Sequence, residues 1–311
     1  MTDHPFQSVL VPLDGSALSE QALPFAMAIA GQGGSVILLQ AIPDAEPLRK
    51  PFGAVTMSAE EVLQMLTNLA EADLDRAEAH WADVAPEVTI TKKAVSGDAA
   101  TVILDTAAEQ NIDLIALAST GRGALGRLTL GSVADRVLRT ADRPVLVVRG
   151  YDAPSSHQLP QLSRIVVPLD GSDRSMLAIP AAATVAKQMQ APVELLMAVD
   201  LPQVVSPAMA YGPAFSPEFY SELEEQTTRN ADAYLTEAVA EFGKHGVEAK
   251  KHIMLGSAVA AILDFAKHGD LIVMTSRGQG GFKRWILGSV AEKLVRDAPA
   301  PVLLVPSHHH E

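Results

Sequence analysis

Leu117-Ala118-Ser119-Thr120-Gly121-Arg122-Gly123-Ala124-Leu125-Gly126-Arg127-Leu128-Thr129-Leu130-Gly131-Ser132-Val133-Ala134-Asp135-Arg136-Val137-Leu138 returns, altered but recognisable, as Met274-Thr275-Ser276-Arg277-Gly278-Gln279-Gly280-Gly281-Phe282-Lys283-Arg284-Trp285-Ile286-Leu287-Gly288-Ser289-Val290-Ala291-Glu292-Lys293-Leu294-Val295. In each copy nine residues separate a glycine (Gly121, Gly278) from a Gly-Ser pair (Gly131-Ser132, Gly288-Ser289). An apolar strand pattern precedes each copy and an amphipathic helix pattern follows. A glycine-rich, basic loop that ends on a helix N-terminus is a natural place for phosphate.

The repetition extends over the whole chain. Val9-Leu10-Val11-Pro12-Leu13-Asp14-Gly15-Ser16 returns as Ile165-Val166-Val167-Pro168-Leu169-Asp170-Gly171-Ser172. Val36–Ala41 returns as Val193–Ala198, Gly97–Ala100 as Gly256–Val259, and Arg143–Val148 as Ala300–Val305. The order is the same in both halves, so the chain reads as a tandem duplication of a domain of about 145 residues. The expected boundaries are residues 1–149 and 164–307, with a linker at 150–163 that holds Pro154 and Pro160 and a tail at 308–311.

Within the first repeat, short apolar runs at Ser8–Leu13, Ser35–Ile42, Val88–Val95, Leu114–Ser119 and Val145–Val148 read as strands. Helical patterns lie between them at Ser19–Gly31, Ser58–Val84, Ala99–Gln110 and Ser132–Ala141, and Ser58 with Glu61 forms a capping-box signature. Alternating strands and helices predict an α/β fold, a parallel sheet with right-handed crossovers and helices on both faces. In such sheets ligands sit beyond the strand carboxyl ends, where the strand order reverses. Asp14 and the Gly121 loop both fall at strand ends of that kind. Long loops are expected at Pro43–Met57 and Leu201–Pro217, as a lid or a partner surface.

Composition narrows the function classes. There are 311 residues and no cysteine, so disulfides and thiolate metal sites are excluded. A net charge of −13 argues against broad nucleic-acid binding. No run reaches a membrane-spanning length, and the expected location is the cytoplasm. No nucleophile elbow, Ser/His/Asp set or acid–base carboxylate pair stands out. The histidines do not recur at matched positions, no metal site is expected, and His308-His309-His310 reads as a tail.

Asp14 and Asp170 admit two readings of similar weight: turn formers ahead of Gly-Ser, or carboxylates that accept hydrogen bonds from a ribose or base. Ser132 and Ser289 read as helix N-caps, with Asp135 and Glu292 at the capping-box position. Capping alone leaves the long glycine-rich approach and its cations (Arg122, Arg127, Arg277, Lys283, Arg284) unexplained. Two familiar motifs are set aside. Gly121–Gly126 matches G-x-G-x-x-G but follows the fourth strand, and its repeat breaks the pattern. Gly126–Ser132 resembles a P-loop without its lysine.

Taken together, the two Val-Pro-Leu-Asp-Gly-Ser starts, the Gly-x9-Gly-Ser-Val loops and the closing Pro-Val-Leu strands resemble the universal stress protein family in its tandem form, over nearly the whole chain. The resemblance implies two five-stranded parallel sheets of order 3-2-1-4-5. Its ATP-binding branch carries G-x2-G-x9-G-(S/T). By that resemblance Asp14, Ala41, Gly121, Gly131 and Ser132 form one adenine-nucleotide site, and Asp170, Ala198, Gly278, Gly288 and Ser289 the other. Pro12 and Pro168 then line the adenine pocket, beside Val133 and Val290.

The implied ligand is ATP with Mg2+, held by both repeats and more securely by the first. The first glycine of the motif is replaced in both, by Ala118 and by Thr275. The implied role is a stress-response regulator or protective factor with an unidentified protein partner. A slow ATPase and a nucleotide-independent interaction protein are the alternatives. The family also implies that Val145–Val148 and Val302–Val305 meet inside the chain as a pseudo-dimer, with a further homodimer open.

Overall fold

The computed structural model describes residues 6–44, 48–49, 55–119, 130–149, 158–200, 217–276 and 287–307. The first repeat runs β1 (Ser8–Leu13), a 3-10 turn (Ser19–Ala22), α1 (Leu23–Ala30), β2 (Ser35–Ile42), β3 (Leu48–Arg49), β4 (Val55–Met57), α2 (Ala59–Trp81), β5 (Thr89–Ser96), α3 (Ala99–Glu109), β6 (Leu114–Ser119), α4 (Ser132–Thr140) and β7 (Val145–Arg149). The second runs β8 (Arg164–Leu169), α5 (Asp173–Met176), α6 (Ile179–Met189), β9 (Val193–Val199), α7 (Pro217–Lys244), β10 (Ala249–Leu255), α8 (Ala258–Phe265), β11 (Asp270–Thr275), α9 (Ser289–Asp297) and β12 (Val302–Val305).

One ten-stranded sheet holds the chain together, in the order β10-β9-β8-β11-β12-β7-β6-β1-β2-β5. Each half has the order 3-2-1-4-5 in its own strand numbering and is parallel throughout. Val9, Leu10 and Val11 are wholly buried, as expected of a central strand covered by helices on both faces. One core lies under α1, α2, α6 and α7 and a second under α3, α4, α8 and α9, so the molecule has three layers.

The halves meet where β7 pairs antiparallel with β12, in the register Val145↔Leu304, Leu146↔Leu303 and Val147↔Val302. Leu146 and Leu303 hold the same place in Pro144-Val145-Leu146 and Pro301-Val302-Leu303, so a local two-fold axis passes through that pair. Every residue of β7 is buried. Arg149, at its end, donates from Nη1 to the Ala298 carbonyl in the other repeat at 2.6 Å. On one face of the sheet α1 packs against α6. On the other, Arg139 of α4 lies 4.0 Å from Glu292 of α9.

The outer strands β5 and β10 carry lysines held to neighbouring helices. Lys92 pairs with Asp75 and Glu78 of α2 at 2.5 and 2.6 Å, and Lys251 with Asp232 of α7 at 2.6 Å. Charged edges of this kind discourage pairing with a further strand.

Three sequence expectations need correction. The segment Ser19–Gly31 is not one helix: Pro24 has no N–H to give to the Glu20 carbonyl, so a 3-10 turn precedes α1. The loop Pro43–Met57 contains the antiparallel pair β3–β4, whereas Leu201–Pro217 lies outside the described residues apart from Pro217, the first residue of α7. The expected helices at Ser58–Val84 and Ser132–Ala141 end earlier, at Trp81 and Thr140. The Ser58 capping box is present, with Ser58 N–H on Glu61 Oε2 at 2.6 Å and Glu61 N–H on Ser58 Oγ at 3.2 Å.

The second repeat has an ionic cluster at the amino ends of its strands. Arg164 donates to Asp270 Oδ2 from Nε at 3.1 Å, to Glu194, and to the Phe265 carbonyl at 2.7 Å. Its guanidinium lies 4.4 Å from the centroid of the Phe265 ring. Asp270 is 2% exposed, and Ser8 stands where the first repeat would need the arginine. Removing one member of a buried pair leaves the other charge uncompensated. Arg164→Leu is therefore expected to cost about 3 kcal/mol or more, read as a lower urea midpoint; a midpoint equal to that of the wild type would refute the role of the cluster.

Candidate functional site

The carboxyl end of β1 decides the geometry. Between β1 and β2 the ladder continues to Leu13↔Gln40, but between β1 and β6 it stops at Leu10↔Ile115. The second repeat repeats this: β8–β9 pairs to Leu169↔Met197, and β8–β11 stops at Val166↔Ile272. Each half-sheet thus opens beside its first strand at the carboxyl edge, which is the switch point of the strand order. Extending the registers by one residue sets Asp14 beside Ala41 and Asp170 beside Ala198, at the roughly 5 Å spacing of neighbouring strands. Pro12 and Pro168 lie two residues back on the same strands.

Asp14 closes an Asx turn. Its Oδ1 accepts from the Ser16 N–H at 3.0 Å and from Ser16 Oγ at 2.5 Å, while its own N–H goes to Ser19 Oγ at 3.2 Å. Burial raises the Asp14 carboxyl, but hydrogen bonds from Ser16 and Ser19 outweigh it and hold the group below its ordinary value of 3.8. Gly15 follows at φ +79°, a conformation that favours glycine, and a Cβ there would stand 2.4 Å from Asp73 Oδ2, so that carboxylate would have to move aside. Asp170 makes the same turn, with bonds of 3.1 Å and 2.6 Å from Ser172 and with Gly171 at φ +81°.

The long helices close over these turns differently. In the first repeat Arg76 of α2 pairs with Asp73 at 2.9 Å and donates to the Gly15 carbonyl at 3.3 Å. In the second, Tyr234 Oη of α7 donates to the Ser172 carbonyl at 2.7 Å and lies 2.8 Å from Ser175 Oγ. Burial raises the Tyr234 hydroxyl pKa, the Ser175 bond opposes this, and the Asp170, Asp173 and Glu237 charges add to the rise, so the group remains a donor. Asp73, Arg76 and Tyr234 were not among the residues singled out from the sequence. The signal was present: the buried series Ala70, Leu74, Ala77, Trp81 and Ala231, Leu235, Ala238, Phe242 align the two helices and put Asp73 and Tyr234 in one place.

Gly121, Gly278 and the loop cations lie outside the described residues. The helices after the loops are described, and they correct the capping expectation. The N-caps are Gly131 (φ −61°, ψ 149°) and Gly288 (φ −64°, ψ 146°), neither with a side-chain cap bond, and Ser132 and Ser289 are the first helical residues. The carboxylates expected in capping boxes are engaged elsewhere: Asp135 binds Arg139 at 2.9 and 3.0 Å, and Glu292 binds Arg296 at 2.8 Å. No N-cap side chain therefore holds the first-turn N–H groups, which suits an anion site. Ser132, Val133 and Ser289 are exposed and Val290 is half-buried. No described atom lies within 4 Å of where a Gly131 Cβ would sit. With its ordinary φ, packing among the described residues does not call for glycine there.

The depressed Asp14 carboxyl has a pH signature. A folded-state pKa below the unfolded one stabilises the fold above the unfolded value, and the gain is lost as pH falls through the folded value. The stability advantage of the wild type over Asp14→Asn is expected to be constant from neutral pH to pH 5 and to shrink below about pH 4. Chemical denaturation of both proteins across pH reads this out; an advantage that persists unchanged at about pH 2 would refute it.

Comparison with known proteins now bears on this geometry. The sequence profile of the universal stress protein family matches residues 5–149 and again residues 162–306. A universal stress protein of Mycolicibacterium smegmatis is 28% identical over 304 residues, covering 96% of each chain. One from Methanocaldococcus jannaschii is 36% identical over 144 residues, covering 46% of this chain and 81% of its own length. The crystal structure of a universal stress protein from Archaeoglobus fulgidus superposes with a TM-score of 0.67 at 21% identity, over 98% of this chain and 100% of the other. Among the described residues no helix is long and apolar enough to cross a membrane. Two profile matches that together span nearly all 311 residues establish that the chain belongs to the universal stress protein family, with one family domain in each repeat.

Proposed function

We propose that the protein binds adenine nucleotide, ATP with Mg2+, in the crevice of each repeat, and acts in the stress response as a nucleotide-dependent regulator or protective factor. The observation that carries this reading is Gly131. It caps α4 without any side-chain bond, its φ of −61° suits any residue, and no described atom occupies the space of its Cβ. A glycine that packing among the described residues does not call for, at a helix N-terminus with no side-chain cap, leaves room for a ligand to approach the backbone.

The rest of each site fits the same ligand. The N–H groups of the first turn of α4 face the phosphates, Asp14 Oδ2 accepts from the nucleoside, and Pro12, Ala41 and Val133 bound the base. Gly121 and the loop cations complete the phosphate side. The second site uses Asp170, Ala198, Gly278, Gly288, Ser289, Pro168 and Val290 in the same way. Mg2+ would offset the negative charge of the triphosphate. Ala118 and Thr275, where the ATP-binding pattern has glycine, favour a second reading, a nucleotide-independent interaction protein.

Mass spectrometry of small molecules released from freshly purified, denatured protein is expected to find adenine nucleotide. None, together with no thermal shift on adding ATP and Mg2+, would favour the second reading. Gly131→Val is expected to weaken binding at the first site by about ten-fold or more. Its thermal midpoint should stay within a few degrees of the wild type, because the new Cβ meets no described atom within 4 Å and the site is exposed. Unchanged affinity in calorimetric titration would remove Gly131 from the site. Release of inorganic phosphate from bound ATP would turn the reading toward a slow ATPase.

A further inference from the structure

We infer that the outer face of α2, in the first repeat, is a docking surface for a basic amphipathic helix of another protein. Met65 is 40% exposed and Leu69 56%, and with Val133 and Leu255 they are the large apolar side chains left exposed among the described residues. Single exposed apolar residues are ordinary on a protein surface. Met65 and Leu69 are not single: four residues apart, they lie one above the other on adjacent turns of one helix. With Glu61, Gln64 and Asn68 they line an open hollow of about 450 Å3. Gln64 Nε2 donates to Asn68 Oδ1 at 2.9 Å, so a polar rail runs beside the apolar one.

The second repeat supplies the control. Aligning Ala70, Leu74, Ala77 and Trp81 with Ala231, Leu235, Ala238 and Phe242 puts Gln226 of α7 at the place of Met65 and Asn230 at that of Leu69. Both are exposed, and Gln226 Nε2 donates to Asn230 Oδ1 at 3.0 Å. Beside them Glu225 and Arg229, at the places of Gln64 and Asn68, form an ion pair at 3.2 Å. The same helix on the same kind of sheet is thus complete with a polar outer face, so the fold does not call for Met65 and Leu69. Burying them against a partner recovers the free energy of exposing apolar surface to water.

Charge decides the kind of partner. From Ala59 to Arg76, α2 carries Glu60, Glu61, Glu71, Asp73 and Asp75. Arg76 and Lys92 pair with Asp73 and Asp75, which leaves Glu60, Glu61 and Glu71 as an acidic excess. A second copy meeting this face across a two-fold axis would set acidic flank against acidic flank, on a chain of net charge −13. A helix that presents two apolar residues one turn apart, between lysines or arginines, matches both features: apolar on apolar and cation on carboxylate. Leu69 stands one turn before Asp73, whose partner Arg76 donates to the Gly15 carbonyl at 3.3 Å, so the docked helix lies beside the Asp14 turn.

The probe is a helical peptide of about 15 residues built only of leucine and lysine, titrated into the full chain. Binding at about 10 to 100 μM is expected for so small a patch. The largest NMR shifts are expected at the Met65 and Leu69 methyl groups, and added salt should lower the affinity. The double substitution Met65→Gln with Leu69→Asn puts the residues of α7 into α2 without changing the net charge. It is expected to weaken peptide binding by about ten-fold or more, with a thermal midpoint within a few degrees of the wild type. Unspecific attraction of a cationic peptide to an acidic protein survives in this variant, so the loss isolates the apolar rail. Equal affinity of variant and wild type, shifts confined to other methyl groups, or no binding at millimolar peptide would overturn the docking surface. Equal binding of the same peptide with glutamate in place of lysine would overturn the basic partner. Self-association of the wild type that disappears in the double variant would assign the face to a second copy instead.

Discussion

An apolar strand with one side unpaired is the constraint from which the rest of this structure follows. A parallel half-sheet of order 3-2-1-4-5 ends on its fifth strand, and here that strand is Val145-Leu146-Val147-Val148 in one repeat and Val302-Leu303-Leu304-Val305 in the other. Apart from Arg149 at the very end of β7, neither has a charge or proline within it to blunt the exposed edge. Pairing one with the other satisfies both ladders and buries all of β7. The opposite edges are treated differently. β5 and β10 keep lysines tethered to α2 and α7, so the sheet closes at its centre and stops at its ends.

Much of this was legible in the sequence because its signals are local. Continuous apolar runs between turn residues located the central strands, and the repeated Pro-Leu-Asp-Gly-Ser carried a turn reading of Asp14 and Asp170 beside the ligand reading; the Asx turns bear out the former. The capping of α4 and α9 was misread for an equally local reason. Ser132 with Asp135, and Ser289 with Glu292, satisfy the spacing of a capping box, yet the helices start one residue earlier than that spacing implies. Arg139 and Arg296, one turn on, draw the carboxylates away. Spacing alone does not reveal which of two partners a carboxylate takes.

Contacts between distant elements were the least legible. Tyr234 on the Ser172 carbonyl, Arg76 on the Gly15 carbonyl, and Arg164 between Asp270 and Glu194 each join residues at least 30 positions apart. They depend on the angle at which a helix lies on the sheet, which periodicity does not encode. Comparing the repeats with each other recovers part of it, since two copies of one fold share their contacts wherever they share residues. Where they differ, as at Asp73 and Tyr234 or Ser8 and Arg164, the difference itself marks a position that packing does not fix.

The antiparallel seam between β7 and β12 has a consequence for how such a chain evolves. In a homodimer the same seam would form by association, so it would weaken on dilution, and every substitution would appear on both sides of the axis. Covalent fusion makes the seam an intramolecular contact, present at any protein concentration. It also frees each half to change alone. Because the strands run in opposite directions, the two carboxyl edges open toward opposite ends of the sheet. One end can diverge in chemistry while the other keeps its ancestral form, a division of labour that an assembly of identical subunits has no means of encoding.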